Sequence, residues 1–193
     1  MKNRLVFTIL AAMLCVAGVL PATASANPFI RDVRIIDMTV TNHPTDLMLS
    51  FKVDGAFKEN LEEAVLSGAP TTFSFFIIVS EFRGIMLDKK ILQVNLSHTI
   101  KYNNLKNDFT IKRSWEDNKP LTTESFDQAK QWMSDITDLR LMPLSHLQKG
   151  GHYKIKAKAE LEKVTLPLFL NYIFFFVSLW DFETDWQTVK FIY

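Results

Sequence analysis

Cysteine is nearly missing from this chain. The single one, Cys15, lies in the leading apolar run, and none follows it. Past that run, disulfides, thiol nucleophiles and thiolate metal sites are therefore excluded, whatever the redox state of the compartment. An excess of one charge is missing too: 22 Lys and Arg face 21 Asp and Glu, a formal net charge of +1. Removing Lys2 and Arg4 with an expected signal leaves 20 basic side chains against 21 acidic ones. Such a balance carries no overall electrostatic footprint for nucleic acid or anionic lipid. The sequence also contains no HxH, HExxH, GxSxG, P-loop or GxGxxG pattern. Zinc-protease, nucleophile-elbow and phosphate-cradle chemistry are thus without support.

What is present is aromatic and apolar. Sixteen Phe in 193 residues suit one domain with a real core and leave little room for a second. The first 26 residues read as a cleaved secretory signal: Lys2 and Arg4, the apolar run Leu5 to Leu20, a break at Pro21, and small residues at Ala24-Ser25-Ala26. The run is shorter than the ~20 residues a spanning helix needs. The expectation is an exported, periplasmic protein whose residues 27–193 form a single β-rich domain.

Period-two alternation dominates that domain. Phe29 to Val40 places Val33, Ile35 and Val40 inward, and Asp46 to Asp54 sets Leu47, Leu49, Phe51 and Val53 against polar neighbours, so the two predict a hairpin. An amphipathic helix follows from Phe57 to Leu66, with Phe57, Leu61, Val65 and Leu66 on one face and a stop at Gly68 and Pro70. Thr71 to Phe82 reads as a central strand, buried on both faces at its centre. Ile91 to Tyr102 and Phe109 to Trp115 are two more strands, and Ser125 to Ile136 has helical spacing. Asp138 to Leu147 is confined to an edge by Pro143, and Tyr153 to Leu161 alternates without interruption against a lysine face. The fold class is mainly β (α+β): an antiparallel, β-sandwich-like sheet of seven or eight strands with one or two packed helices.

The order of these pieces resembles a known family. A signal precedes DLMLSFKVD, then a helix closing in EAVLSGAP (Glu63 to Pro70), an aromatic strand, IKYNNL (Ile100 to Leu105) with DFTI (Asp108 to Ile111), GGHYKIKAKAEL, and a Leu-Pro before a Trp-bearing end. This is similar to the DUF4390 family of bacterial envelope proteins. The resemblance implies export, no established activity, and genes near a nitrogen-regulation-type membrane sensor kinase, hence an accessory to an envelope partner. The chain departs from the pattern at FLNYIFFFVSL, where the family resemblance calls for a more polar passage.

Candidate functional residues gather in the last quarter. Phe174, Phe175 and Phe176 crown an apolar block, Leu168 to Trp180, that is either buried as the domain's closing element or exposed as a docking ridge for a partner or membrane surface. Asp181, Glu183 and Asp185 alternate between Trp180 and Trp186; on an extended segment the acids share one side, opposite Phe182 and Thr184. Three carboxylates so placed could bind calcium or act as an acid/base pair, but a polar strand edge beside two anchoring tryptophans is the simpler expectation. The four histidines, His43, His98, His146 and His152, are expected at the surface, with no metal and no cofactor. The function expected is non-enzymatic binding, through a membrane protein of the sensor-kinase type. The alternatives are a lipid or apolar-ligand carrier, and an enzyme of unrecognised class such as a hydrolase.

Overall fold

Alternating side chains need two layers to bury one face each, and the chain supplies both. The computed structural model describes residues 33–84, 86–117, 119–162 and 182–193. β1 (Arg34–His43) and β2 (Asp46–Asp54) form the expected hairpin. In β2 Leu47, Leu49, Phe51 and Val53 are all buried. In β1, Ile35 and Val40 lie five apart yet both pack on the core, which strict alternation forbids. The register explains it: Ile36 opposes Lys52 but Thr39 opposes Ser50, and Asp37 adopts φ 52° to make a bulge that reverses the phase.

Helix α1 (Glu59–Leu66) buries Leu61, Ala64 and Val65. Leu66, expected on the apolar face, is exposed, because Ala64 at i+3 from Leu61 completes the buried stripe and Leu66 is rotated past it. The helix ends as its sequence demands: Gly68 takes φ 86°, its N–H donates to Val65 O at 2.9 Å, and Ala69 N–H reaches Ala64 O at 3.3 Å. Phe57 lies before the helix, its ring 5.4 Å from Phe73 and 6.2 Å from that of Phe126.

Next come β3 (Thr71–Glu81), β4 (Lys89–Asn103), β5 (Asp108–Arg113) and β6 (Leu121–Thr123). After helix α2 (Phe126–Ser134) the chain forms β7 (Asp135–Pro143), β8 (His152–Leu161) and β9 (Gln187–Ile192). Two antiparallel sheets result. One is three-stranded, β1-β2-β7, with Pro143 on its edge strand; the other is six-stranded, β6-β5-β4-β3-β8-β9, and curls into a half-barrel. The mainly β antiparallel class expected from the sequence is thus what the structure has. The additional strand is β6, at three residues too short to show a period.

β3 is the central strand, paired with β4 from Thr71 to Glu81 and with β8 from Phe73 to Glu81. Phe73, Phe75, Ile77 and Val79 are fully buried on its inner face. Its outer face is not sealed to the same degree: Phe76 and Ile78 are only half-buried. In β8, Tyr153, Ile155, Ala157, Ala159 and Leu161 face inward, as their alternation predicts. Where β8 ends, the departing and returning chain are hydrogen-bonded side by side. Leu161 N–H donates to Phe182 O at 3.0 Å and Thr184 N–H to Ala159 O at 2.9 Å. β9 comes from the alternating tail Thr188 to Tyr193; the expected signal and the block Leu168 to Trp180 lie outside the described residues.

Phe75 touches both layers, 6.0 Å from Phe51 in the small sheet and 4.8 Å from the His98 ring. Phe75→Ala should cost about 3–5 kcal/mol, read as a lower urea midpoint with unchanged slope.

Candidate interaction surface

The outer face of the six-stranded sheet is a field of lysines and aromatics. Strand parity builds it: with odd-numbered residues of β8 in the core, Lys154, Lys156, Lys158 and Glu160 must point outward. Lys158 is its most engaged cation. Its Nζ donates to Glu183 Oε1 at 2.6 Å, lies 3.2 Å from Glu160 Oε2, and sits over the rings of Phe76 (5.5 Å) and Trp186 (6.0 Å). The Glu183 hydrogen bond, followed by that from Glu160, raises the Lys158 pKa above the usual lysine value.

Trp186 reaches this face through a second bulge. Glu160 opposes Glu183, whereas Ala157 opposes Gln187, so three steps along β8 match four along the returning chain. Asp185 is the extra residue. Before it Thr184 points inward, 3 % exposed, its Oγ1 accepting from Ala159 N–H at 3.0 Å; after it Trp186 points outward, 44 % exposed. Phe182, one turn of the pleat earlier, packs edge-on against Phe73 at 5.0 Å.

Of the expected site residues, the structure therefore brings Glu183 and Trp186 together around Lys158 and leaves Asp185 exposed at the bulge. Phe174, Phe175, Phe176, Trp180 and Asp181 lie outside the described residues. Glu183 is engaged by Lys158, and Asp185 stands exposed at the bulge. Among the described residues no three His, Cys, Asp or Glu side chains group as metal ligands.

His98 is a correction. It is not at the surface but fully buried, because it shares strand parity with Leu96 and Ile100, both core residues. That parity was readable along β4 and is the signal that would have found it. Both ring nitrogens are engaged: Nδ1–H donates to Met133 O at 2.9 Å, and Nε2 accepts from the Trp115 indole N–H at 2.9 Å. This pairing fixes the neutral tautomer and ties α2 to the sheet. Arg113 reinforces the same junction, donating to Trp132 O at 3.2 Å and to Glu116 Oε1 at 3.2 Å. Burial, with the nearby Arg113 guanidinium adding to it against the Met133 hydrogen bond, lowers the His98 pKa from 6.5 to about 4.

The unfolded chain thus takes up the His98 proton more readily than the folded one. The stabilisation is complete above about pH 6.5 and is lost as pH falls through about 4, a swing of about 3 kcal/mol. Urea unfolding measured across this window should show the loss in the parent protein. His98→Leu should lack that part of the slope, while being less stable at pH 7 because Trp115 N–H and Met133 O lose their partner.

Neither the curated proteins nor the solved structures contain a match. A family profile does match, over residues 31–190, and its description is a domain of unknown function, DUF4390. The match spans both sheets and both helices from β1 to within β9, and on that basis the chain belongs to the DUF4390 family.

Proposed function

We propose that this protein is an exported, non-catalytic interaction protein of the bacterial envelope, an accessory to a membrane-embedded partner of the sensor-kinase type. Trp186 carries the reading. An indole left 44 % exposed just before β9 is a large apolar area held in water, and the Asp185 bulge is what turns it outward. It stands beside a lysine already fixed by two carboxylates, so the patch is preorganised as well as aromatic. Exposed Trp with satisfied polar neighbours is the composition of an interface hot spot. The strongly perturbed titratable group, His98, supports a non-catalytic reading: it is enclosed, with both nitrogens occupied. The partner class rests on the gene neighbourhood that the family resemblance implies.

A photo-crosslinking residue in place of Trp186 should capture a sensor-kinase-type membrane protein in intact cells. The same residue in place of Leu105, on the β4–β5 turn and separated from β9 by β3 and β8, should not. Trp186→Ala should weaken that complex by about thirtyfold, the size of a hot-spot loss, while changing stability by less than about 1 kcal/mol. Equal capture from both positions, or none of this membrane class, would rule the reading out.

A further inference from the structure

Near-neutral net charge conceals a local imbalance at one end of the six-stranded sheet. The β3–β4 turn projects there, and it is apolar where turns are usually polar. Leu87 is 95 % exposed, Met86 70 % and Phe82 44 %, and Ile192 of β9 adds a further 66 % exposed side chain at the same end. A single exposed leucine is ordinary. Three such side chains within six residues of one turn, with a fourth from the adjoining edge strand, form a cluster.

Cations surround this cluster, placed by the register. Lys190 opposes Lys154, Lys154 opposes Ser80, and Ser80 opposes Lys90, so a basic row crosses four neighbouring strands just behind the turn. Arg83 and Lys89 lie on the turn's flanks, and Lys149 precedes the Gly150-Gly151 link, where Gly150 N–H bonds to Tyr193 O. Against these six stand two carboxylate side chains: Glu81, 3.2 Å from Arg83, and Asp88, paired with Lys154. Among the described residues Lys89, Lys149 and Lys190 meet no carboxylate, and Lys190 Nζ lies 5.5 Å over the Phe82 ring.

We propose that this end of the sheet docks on the surface of an anionic phospholipid bilayer, with Met86 and Leu87 entering the interface and the flanking lysines meeting lipid phosphates. The shape favours lipid over a protein partner. Apolar side chains standing off a narrow turn, ringed by lysines that meet no carboxylate among the described residues, match a soft anionic surface without needing a preformed pocket. A fluid bilayer closes around them, and long lysine stems lie along the apolar surface while their ammonium groups stay at headgroup level. The basic row supplies the longer-range attraction to a negatively charged leaflet. The surface is separate from Trp186, and it stands whether or not the protein partner proposed above exists.

The test uses the purified chain without any partner. It is co-sedimented with vesicles of 30 % phosphatidylglycerol in phosphatidylcholine and with vesicles of phosphatidylcholine alone, across a salt series, at roughly the charge density of an anionic leaflet. The chain should pellet with the anionic vesicles at least about tenfold better than with the neutral ones, and less as salt rises. Met86→Ser/Leu87→Ser should lower binding by about tenfold or more. Lys89→Gln/Lys190→Gln should lower it and flatten the salt dependence, and Leu105→Ser should leave it unchanged. The substituted side chains are solvent-exposed, so circular dichroism should confirm an intact fold in each variant. No vesicle binding, equal binding to both compositions, or binding indifferent to Met86→Ser/Leu87→Ser would overturn the proposal.

Discussion

Everything in this fold is referred to β3. It is hydrogen-bonded along both edges and presents Phe73, Phe75, Ile77 and Val79, all fully buried, to the opposing layer. A strand in that position has no freedom to slip, since a shift of one residue would exchange four buried hydrophobes for Ser74, Phe76, Ile78 and Ser80. β4 and β8 inherit their registers from it, and β5 and β9 inherit theirs in turn. The small sheet is held mainly through side chains, Phe51 against Phe75 being one such contact. α2 is fastened by the polar junction at His98 and Arg113. A buried histidine with both nitrogens partnered is costly to misplace, which makes it a device for specificity as much as for stability.

Legibility in the sequence followed the physics of each element. β2 and β8 could be read residue by residue, because a half-buried strand writes its two faces as alternating letters. The α1 stop could be read because only glycine takes the Gly68 conformation without strain. Leu66 was misplaced since an alanine satisfies a helix face as well as a leucine does when the neighbouring sheet comes close. The bulges at Asp37 and Asp185 could not be read at all: each is a property of two strands together, and nothing in one strand's composition announces an extra residue in its partner's register.

The candidate surfaces show the same limit from the functional side. The tryptophan and the acids near the end of the chain were visible as unusual residues. Which of them faces water was decided by one bulge, and which acid stays unpaired by the reach of Lys158 from the next strand. The apolar turn at Met86 and Leu87 was unremarkable as sequence, since FRGIML reads as the end of a buried strand followed by a turn. Its meaning comes from strand order, which gathers lysines from β4, β8 and β9 beside it. A chain near neutrality can therefore still carry one locally basic end.

The clasp between Leu161 and Phe182 sets how the last strand joins the sheet. The backbone that leaves the sheet at Glu162 and the backbone that returns at Phe182 are already neighbours, held by main-chain hydrogen bonds on either side. The register of the returning chain is therefore set before β9 begins, by main-chain bonds to the far end of β8, and β9 enters the sheet already aligned.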